Sequence, residues 1–507
     1  MTILAVELSA SRLLGNVFGT SNIVWANVIG LMLLYLTIGY FIGGRWADRS
    51  PHRTTMYKIV IWGAFLSALI PLVSRPILQV ASQAFVGAEA GLALGSFVAV
   101  LILFSVPITL LGTVSPFAIR LAVTDIDSAG KISGQIYAMS TIGSLIGTFL
   151  PVLFLIPELG TIRTFLVFSG ILYFVAFIGL FREEKTAALK YLIMPIIVAI
   201  LAFVALQGYL RPPQEGAVML YEGESAYNYI QVQEDAAGNR YLYLNEGQGI
   251  HSQWNADNIY YGRTWDFFLT APYFDNDFLP ENMGSMLMIG LAAGTIPRQY
   301  LAVYPNLPID GIEIDPEIIA VGEQFFEMNA EYMPSLTVYA ADGRYMLNQL
   351  QKQYTVIGID AYRPPYIPWQ LTTVEFFSEI RDRLTDEGVM VINVGRTNTD
   401  RRLVDALTNT LSVVFPSIHA MDVPYSFNTI LVATMQPTLA SNLNDNLQQL
   451  PQSVHPLLRQ VLNDGVAALV PTNTIDILFT DDRAPVETIV DSLVLNFLLE
   501  GGAEEFR

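Results

Sequence analysis

The stretch that decides the fold begins at Met286-Leu-Met-Ile289, which runs directly into Gly290-Leu-Ala-Ala-Gly294-Thr295. A second apolar run, Ile309 to Ile314, carries Glu313 and Asp315 at its end, and Glu313 falls 23 positions after Gly290. A third, Thr337-Val-Tyr-Ala340, ends in Asp342-Gly343-Arg344, and a fourth, Tyr354 to Ile359, ends in Asp360. Short apolar runs bounded by glycine or acid read as buried parallel strands. Four strands that each finish on a glycine or a carboxylate gather those groups at one sheet edge, where open α/β sheets bind ligands. A glycine turn alone often serves only the backbone. Joined to an acid at the end of the next strand it reads as a nucleoside site, because a carboxylate there can take both ribose hydroxyls.

Working outward, the 507-residue chain is 52% hydrophobic and only 14% charged, which is apolar for a water-exposed protein. The average conceals two unlike halves. Residues 1–210 hold twelve Lys/Arg against eight acids (+4), and the remainder fifteen against 38 (−23). An acidic half repels phosphates and speaks against a nucleic-acid partner, while it suits a small cationic substrate or a solvated acidic surface. With no cysteine there is no disulfide or thiolate chemistry, and the four histidines show no metal-ligand spacing, so no metal is expected.

The first half predicts a multi-pass helical membrane domain over residues 1–210. Stretches near 23–42, 57–73, 91–119, 133–156, 162–181 and 191–210 are each long and apolar enough to span a bilayer, and Met1 to Phe18 reads as a further helix, which gives about seven. Arg45, Arg49, Arg53 and Lys58 share one loop, Arg120 and Lys131 another, and Arg182, Lys185 and Lys190 a third. The positive-inside rule places these loops in the cytoplasm and the acidic half on the other side of the cell membrane. Gly39-x-x-x-Gly43 and Gly143-x-x-x-Gly147 permit close helix packing, possible homo-oligomer contacts included. Glu7 and Arg12 either pair or mark a function.

In the second half, Tyr227–Glu234 and Arg240–Leu244 alternate around Ala237-Gly-Asn239 and predict a hairpin within a small β-region, 211–255. Residues 256–507 then form the Rossmann-like domain. Beyond the four strands come a helix over 373–383, a strand at Gly388-Val-Met-Val-Ile-Asn393, a helix over 401–411 and late strands at 419–423 and 429–434. Residues 437–475 read as loop with one helix. Asp315 precedes Pro316 and either binds ligand or caps a helix; Asp342 either meets an adenine amine or pairs with Arg344. Thr480-Asp481-Asp482 reads either as helix-start chemistry or as a carboxylate pair that supports or binds a ligand.

Taken in order, Gly290-Leu-Ala-Ala-Gly294, Glu313-Ile-Asp315, Asp342-Gly-Arg344, Asp360-Ala-Tyr362 and Asn393-Val394 resemble the spermidine synthase (polyamine aminopropyltransferase) family, which shares its fold with class I methyltransferases. Glu7-Leu-x-x-x-Arg12, Trp25, Gly39 to Arg49 and the late Thr480 to Glu487 are similar to its membrane-fused branch. The resemblance implies transfer of an aminopropyl group from decarboxylated S-adenosylmethionine to a polyamine or related acceptor. The alternatives are a methyltransferase using S-adenosylmethionine and a silent nucleoside- or polyamine-binding sensor. It implies cofactor-binding roles for Gly290, Gly294, Glu313, Asp315, Asp342, Gly343 and Asp360, catalytic roles for Asp360 and Tyr362, and substrate contacts at Gln248, His251 and Tyr261. Two departures stand out. Ala293 replaces an acid in the glycine turn, and Arg363 replaces the second acid after the fourth strand.

Overall fold

A computed structural model of the chain describes residues 1–18, 22–84, 91–205, 207, 209, 211–245, 249–362 and 366–499. They form two compact units, Met1–Pro212 with Glu222–Tyr229, and Pro213–Tyr221 with Ile230–Arg507.

The first unit is helical. Among the described residues six helical stretches are long and apolar enough to cross a membrane: Val24–Arg49, Arg53–Leu78, Leu94–Ala122, Ala129–Leu159, Thr161–Glu183 and Lys185–Ala205. Seven were expected. The difference is the first helix, Thr2–Phe18, which is 17 residues long and interrupted by Glu7 and Arg12. At 1.5 Å per residue it reaches only about 26 Å, short of a hydrocarbon core. Its Val6, Ala10 and Leu14 are fully buried among the other helices. Arg12 donates to the Ser225 carbonyl at 3.1 Å. Gly39 and Gly43 lie against the backbone of Gly112 and Thr113, so close that a Cβ at either position would collide, and packing is what that motif does.

Apart from the residues of Glu222–Tyr229, two sheets belong to the second unit. A four-stranded sheet runs in the order β1 (Val218–Glu224), β2 (Tyr229–Glu234), β3 (Arg240–Leu244) and β4 (Ile250–Trp254). Its β2–β3 hairpin pairs Ile230 with Leu244 and Glu234 with Arg240, and Asp235 holds the turn by accepting the Ala237 and Asn239 amides.

The larger sheet continues with β5 (Met286–Ile289), β6 (Ile309–Glu313), β7 (Leu336–Ala340), β8 (Tyr354–Ile359), β9 (Leu384–Gly395), β10 (Ser417–Asp422), β11 (Asn428–Thr434) and β12 (Leu469–Val470). The spatial order is β12-β10-β11-β9-β8-β5-β6-β7. The five strands from β9 to β7 are mutually parallel, whereas β11, β10 and β12 add antiparallel. Every residue of β5, β6 and β8 is buried, as strands covered by helices on both faces require. From β5 the chain winds outward through β6 to β7, then returns to the other flank for β8 and β9. The reversal leaves a crevice above the carboxyl ends of β5 and β8.

Residues 437–475 differ from the expected loop with one helix. They hold two helices, Asn442–Gln449 and Pro456–Ala468, and the short strand β12. The first is rich in Asn and Gln, weak helix formers or neutral ones. Tertiary contacts make it: Leu443 and Leu447 enter the core, and buried Asn446 donates to the Tyr273 and Asp275 carbonyls.

Candidate active site

The glycine turn after β5 is shaped by backbone geometry. Gly290 (φ 84°) and Gly294 (φ 81°) are left-handed, and a Cβ on Gly290 would strike the Asp360–Ala361 peptide. That close approach brings the ends of β5 and β8 together. Glu313, at the end of β6, ties the turn down. One carboxylate oxygen accepts the Ala292 amide at 2.8 Å and the other the Asp315 amide at 3.2 Å. Burial pushes its carboxyl up to about 7, against the opposing pull of those amides. The Ala293 amide donates instead to Ser252 Oγ on β4 at 2.9 Å, and Thr295 exchanges two hydrogen bonds with the Gln253 backbone.

Asp315 is fully buried and caps the helix Pro316–Phe325 through the Glu317 amide, the capping alternative for this residue. Asp342 likewise caps Gly343–Gln349 through the Tyr345 amide. Arg344 is not its partner. That guanidinium grips Glu379 at 2.6 Å and Asp481 at 2.7 Å, and Asp481 also accepts from Thr373. Asp481, expected as helix-start chemistry, therefore braces this corner of the sheet. Gly343 lies against Ile289, where a side chain would collide. Glu313 and Asp342 thus stand at neighbouring strand ends, β6 and β7, with partly exposed Asp342 beside buried Glu313.

Asp360 ends β8. Burial pushes its carboxyl up to about 6, opposed by a hydrogen bond from Asn393 Nδ2 at 2.9 Å. Asn393 Oδ1 accepts in turn from Asn428 Nδ2 at 2.8 Å, so an amide chain runs from β11 through β9 to Asp360. Tyr362 donates its hydroxyl to the Asn393 carbonyl at 3.1 Å, and burial with the nearby Asp360 charge raises its pKa further.

Asp360, Tyr362, Asn393 and Asn428 line a cavity of about 650 Å³. Its walls include Ala292 from the glycine turn, His251 from β4, and Tyr261 to Trp265. Burial lowers the His251 imidazole to about 4, so it is neutral at physiological pH. The Tyr261 hydroxyl is buried, with the Arg298 guanidinium nearby. The 261–263 turn is anchored by buried Asp266, which accepts the Tyr261 and Arg263 amides and a bond from Gln299. Gln248 and Arg363 lie outside the described residues. The cavity therefore gathers Asp360, Tyr362, His251 and Tyr261, whereas Glu313 and Asp342 stand at the neighbouring strand ends.

Several contributors were not picked out from sequence as site residues: Asn428, Ser252 and Arg396. Asn428 reaches Asn393 only because β11 returns antiparallel and sets Asn428 opposite Gly395. Arg396 sits three positions past Asn393 on the same strand end, a spacing that alone could have drawn notice.

A sequence model for the spermine/spermidine synthase domain matches residues 280–445. The probable polyamine aminopropyl transferase of Bifidobacterium longum is 31% identical over 294 residues, 54% of this chain and 62% of that protein. The eEF1A lysine and N-terminal methyltransferase of Xenopus laevis is 29% identical over 163 residues, 30% of this chain and 23% of that protein. The chain thus spans about three fifths of the first relative and under a quarter of the second. A crystal structure of a probable spermidine synthase from Corynebacterium glutamicum superposes with a TM-score of 0.39 at 19% identity, covering 53% of this chain and 99% of that one. By sequence, residues 280–445 of this chain are similar to the spermine/spermidine synthase domain.

Proposed function

We propose that the second unit transfers an aminopropyl group from decarboxylated S-adenosylmethionine to an amine. The observation that carries this reading is Asp360: a carboxylate with its pKa raised to about 6, on the wall of a cavity at the β5/β8 crevice and held in place by Asn393. An amine attacks carbon only when neutral, so a base must take its proton, and a carboxylate with a raised pKa is a better base than one at its ordinary value. Glu313 and Asp342 supply acceptors for ribose and adenine beside the glycine turn, and Tyr362 and Asn393 fix the base. The acids at the ends of β6, β7 and β8 fit a nucleoside bearing a cationic sulfonium.

The test uses the purified full-length protein in detergent micelles with a panel of amines and either donor. Release of methylthioadenosine from the decarboxylated donor is the expected product. Formation of S-adenosylhomocysteine from S-adenosylmethionine would replace the reading with methyl transfer, and no product from either donor would leave a binding domain.

We propose further that the six apolar helices anchor the chain in the cell membrane. The helix Ala129–Leu150 exposes Tyr137, Met139, Ile142, Leu145 and Phe149, a face suited to lipid. The three basic loops fall between the first and second, third and fourth, and fifth and sixth spans, which by the positive-inside rule sets the second unit outside the cytoplasm. The chain has no cysteine, so Ala236→Cys at the exposed hairpin turn gives a single label site. A membrane-impermeant maleimide should label it in intact cells. Labelling only after permeabilisation would reverse the orientation and put the unit beside the cytoplasmic nucleoside pool.

A further inference from the structure

Resting on the transferase reading above, we infer that the acceptor amine also carries a carboxylate, bound by Arg396. A diamine is dicationic, and a site for one presents acids to both of its ends. Among the described residues lining the cavity the charged side chains are one acid, Asp360, and two guanidinium groups, Arg263 and Arg396. With His251 neutral, the lining is net positive whenever Asp360 is ionised.

Arg396 shows what it lacks. Its side chain is nine-tenths buried, with 10% exposed. Among the described residues its Nε pairs with Asp422 Oδ1 only at 3.4 Å, without a hydrogen bond, and Nη1 reaches the Thr397 carbonyl at 3.3 Å. Asp422 answers this charge weakly, because it is already held by others. Arg401 contacts both of its oxygens at 2.6 and 2.8 Å, and Thr429 donates to it at 2.6 Å. A guanidinium has five donors in a planar fork that matches a carboxylate. Burying one with most donors unused is unfavourable, and an anion arriving from the cavity relieves that. Across the cavity Arg263 is exposed and makes no ion pair among the described residues, which adds to the positive field.

The position of Arg396 assigns the anion to the acceptor. The nucleoside acids, Glu313 and Asp342, end β6 and β7 on one side of the β5/β8 crevice; Arg396 follows β9 on the other. In the reaction the acceptor nitrogen forms the new C–N bond as the C–S bond breaks. The electron pair leaves with sulfur as methylthioadenosine, and the nitrogen's proton passes to Asp360 and then to water. The carboxylate remains a spectator that orients the amine.

Putrescine and 4-aminobutyrate share a four-carbon chain and differ in one amine replaced by a carboxylate. Both are titrated by calorimetry into the full-length protein, with and without methylthioadenosine, alongside S-adenosylmethionine and its decarboxylated form. We expect 4-aminobutyrate to bind about tenfold or more tighter than putrescine, the range of a charge-assisted pair. Arg396→Gln should erase that preference and Arg396→Lys retain part of it. The wild-type comparison decides even if Arg396→Gln fails to fold: putrescine binding as tightly or more tightly overturns the inference. An Arg396-dependent preference for S-adenosylmethionine over its decarboxylated form, with no preference between acceptors, moves the carboxylate to the donor and also overturns it. Absence of methylthioadenosine binding, with Arg396-dependent 4-aminobutyrate binding intact, refutes the nucleoside-transfer reading while the anion site stands.

Discussion

Asp360→Asn should bind methylthioadenosine like the parent protein and lose turnover by about 10²–10⁴-fold, the contribution typical of a positioned general base. The substitution is conservative in shape. The new amide oxygen still accepts from Asn393 Nδ2, so the bond that holds residue 360 survives. What disappears is the capacity to take a proton. The pH profile of the parent follows from the same group. Burial raises its carboxyl to about 6, so the base is ionised above that pH and turnover should fall as pH drops through about 6. Stability moves oppositely. A carboxyl with a folded pKa above its unfolded value, near 3.9, favours the fold when protonated and loses that contribution as pH rises from about 4 through about 6. Asp360→Asn removes this titration, so a melting temperature at pH 8 equal to or above the parent's is expected. A variant that melts well below the parent would show residue 360 to be structural instead.

Glu313→Ala should be the most damaging single change to the nucleoside side of the site. Glu313 is buried and satisfies the Ala292 and Asp315 amides at once. Truncation leaves both donors without acceptors, at about 1–3 kcal/mol for each, so a loss of about 2–6 kcal/mol in denaturant unfolding is expected. The Ala292 amide belongs to the turn proposed to meet the nucleoside, so methylthioadenosine affinity should fall by about tenfold or more, the effect of about 1.4 kcal/mol. Glu313→Gln keeps one acceptor oxygen and should fall between parent and alanine variant. It also tests the electrostatics. The carboxyl, raised to about 7 by burial, stabilises the fold while protonated and loses that contribution as pH rises from about 4 to about 7. The glutamine variant should lack that slope. Affinity unchanged in Glu313→Ala would remove this residue from the nucleoside site.

The parallel strands were legible because buried strands leave a simple mark. Met286–Ile289 and Tyr354–Ile359 occupy the residues their apolar runs delimit, each closed by a glycine or an acid. The local part of the site was legible for the same reason: Gly290, Glu313, Asp342 and Asp360 all end such runs. The helix Asn442–Gln449 was not, because its few buried residues carry no convincing period and its stability comes from contacts distant in sequence. Arg396 and Asn428 were hidden differently. An asparagine at the start of a strand means little until antiparallel β11 folds back on β9, and Arg396, one residue past β9, is marked only by its spacing from Asn393. Asp342 and Asp315 show the converse. Both stood out in sequence, and both cap helices.

The cavity walls do not coincide with the matched domain. Residues 280–445 contribute Ala292, Asp360, Tyr362, Asn393, Arg396 and Asn428, while His251, Tyr261 and Arg263 precede that segment and Val490 and Leu493 follow it. Asp360 and Tyr362 thus lie within the matched segment, and much of the remaining cavity wall is supplied by its flanks. On the proposed reading, such an arrangement lets a lineage exchange one acceptor for another by drift in segments outside the strand ends that carry the acids. Grafting the flanks of one homologue onto the core of another should move acceptor choice while leaving donor choice behind.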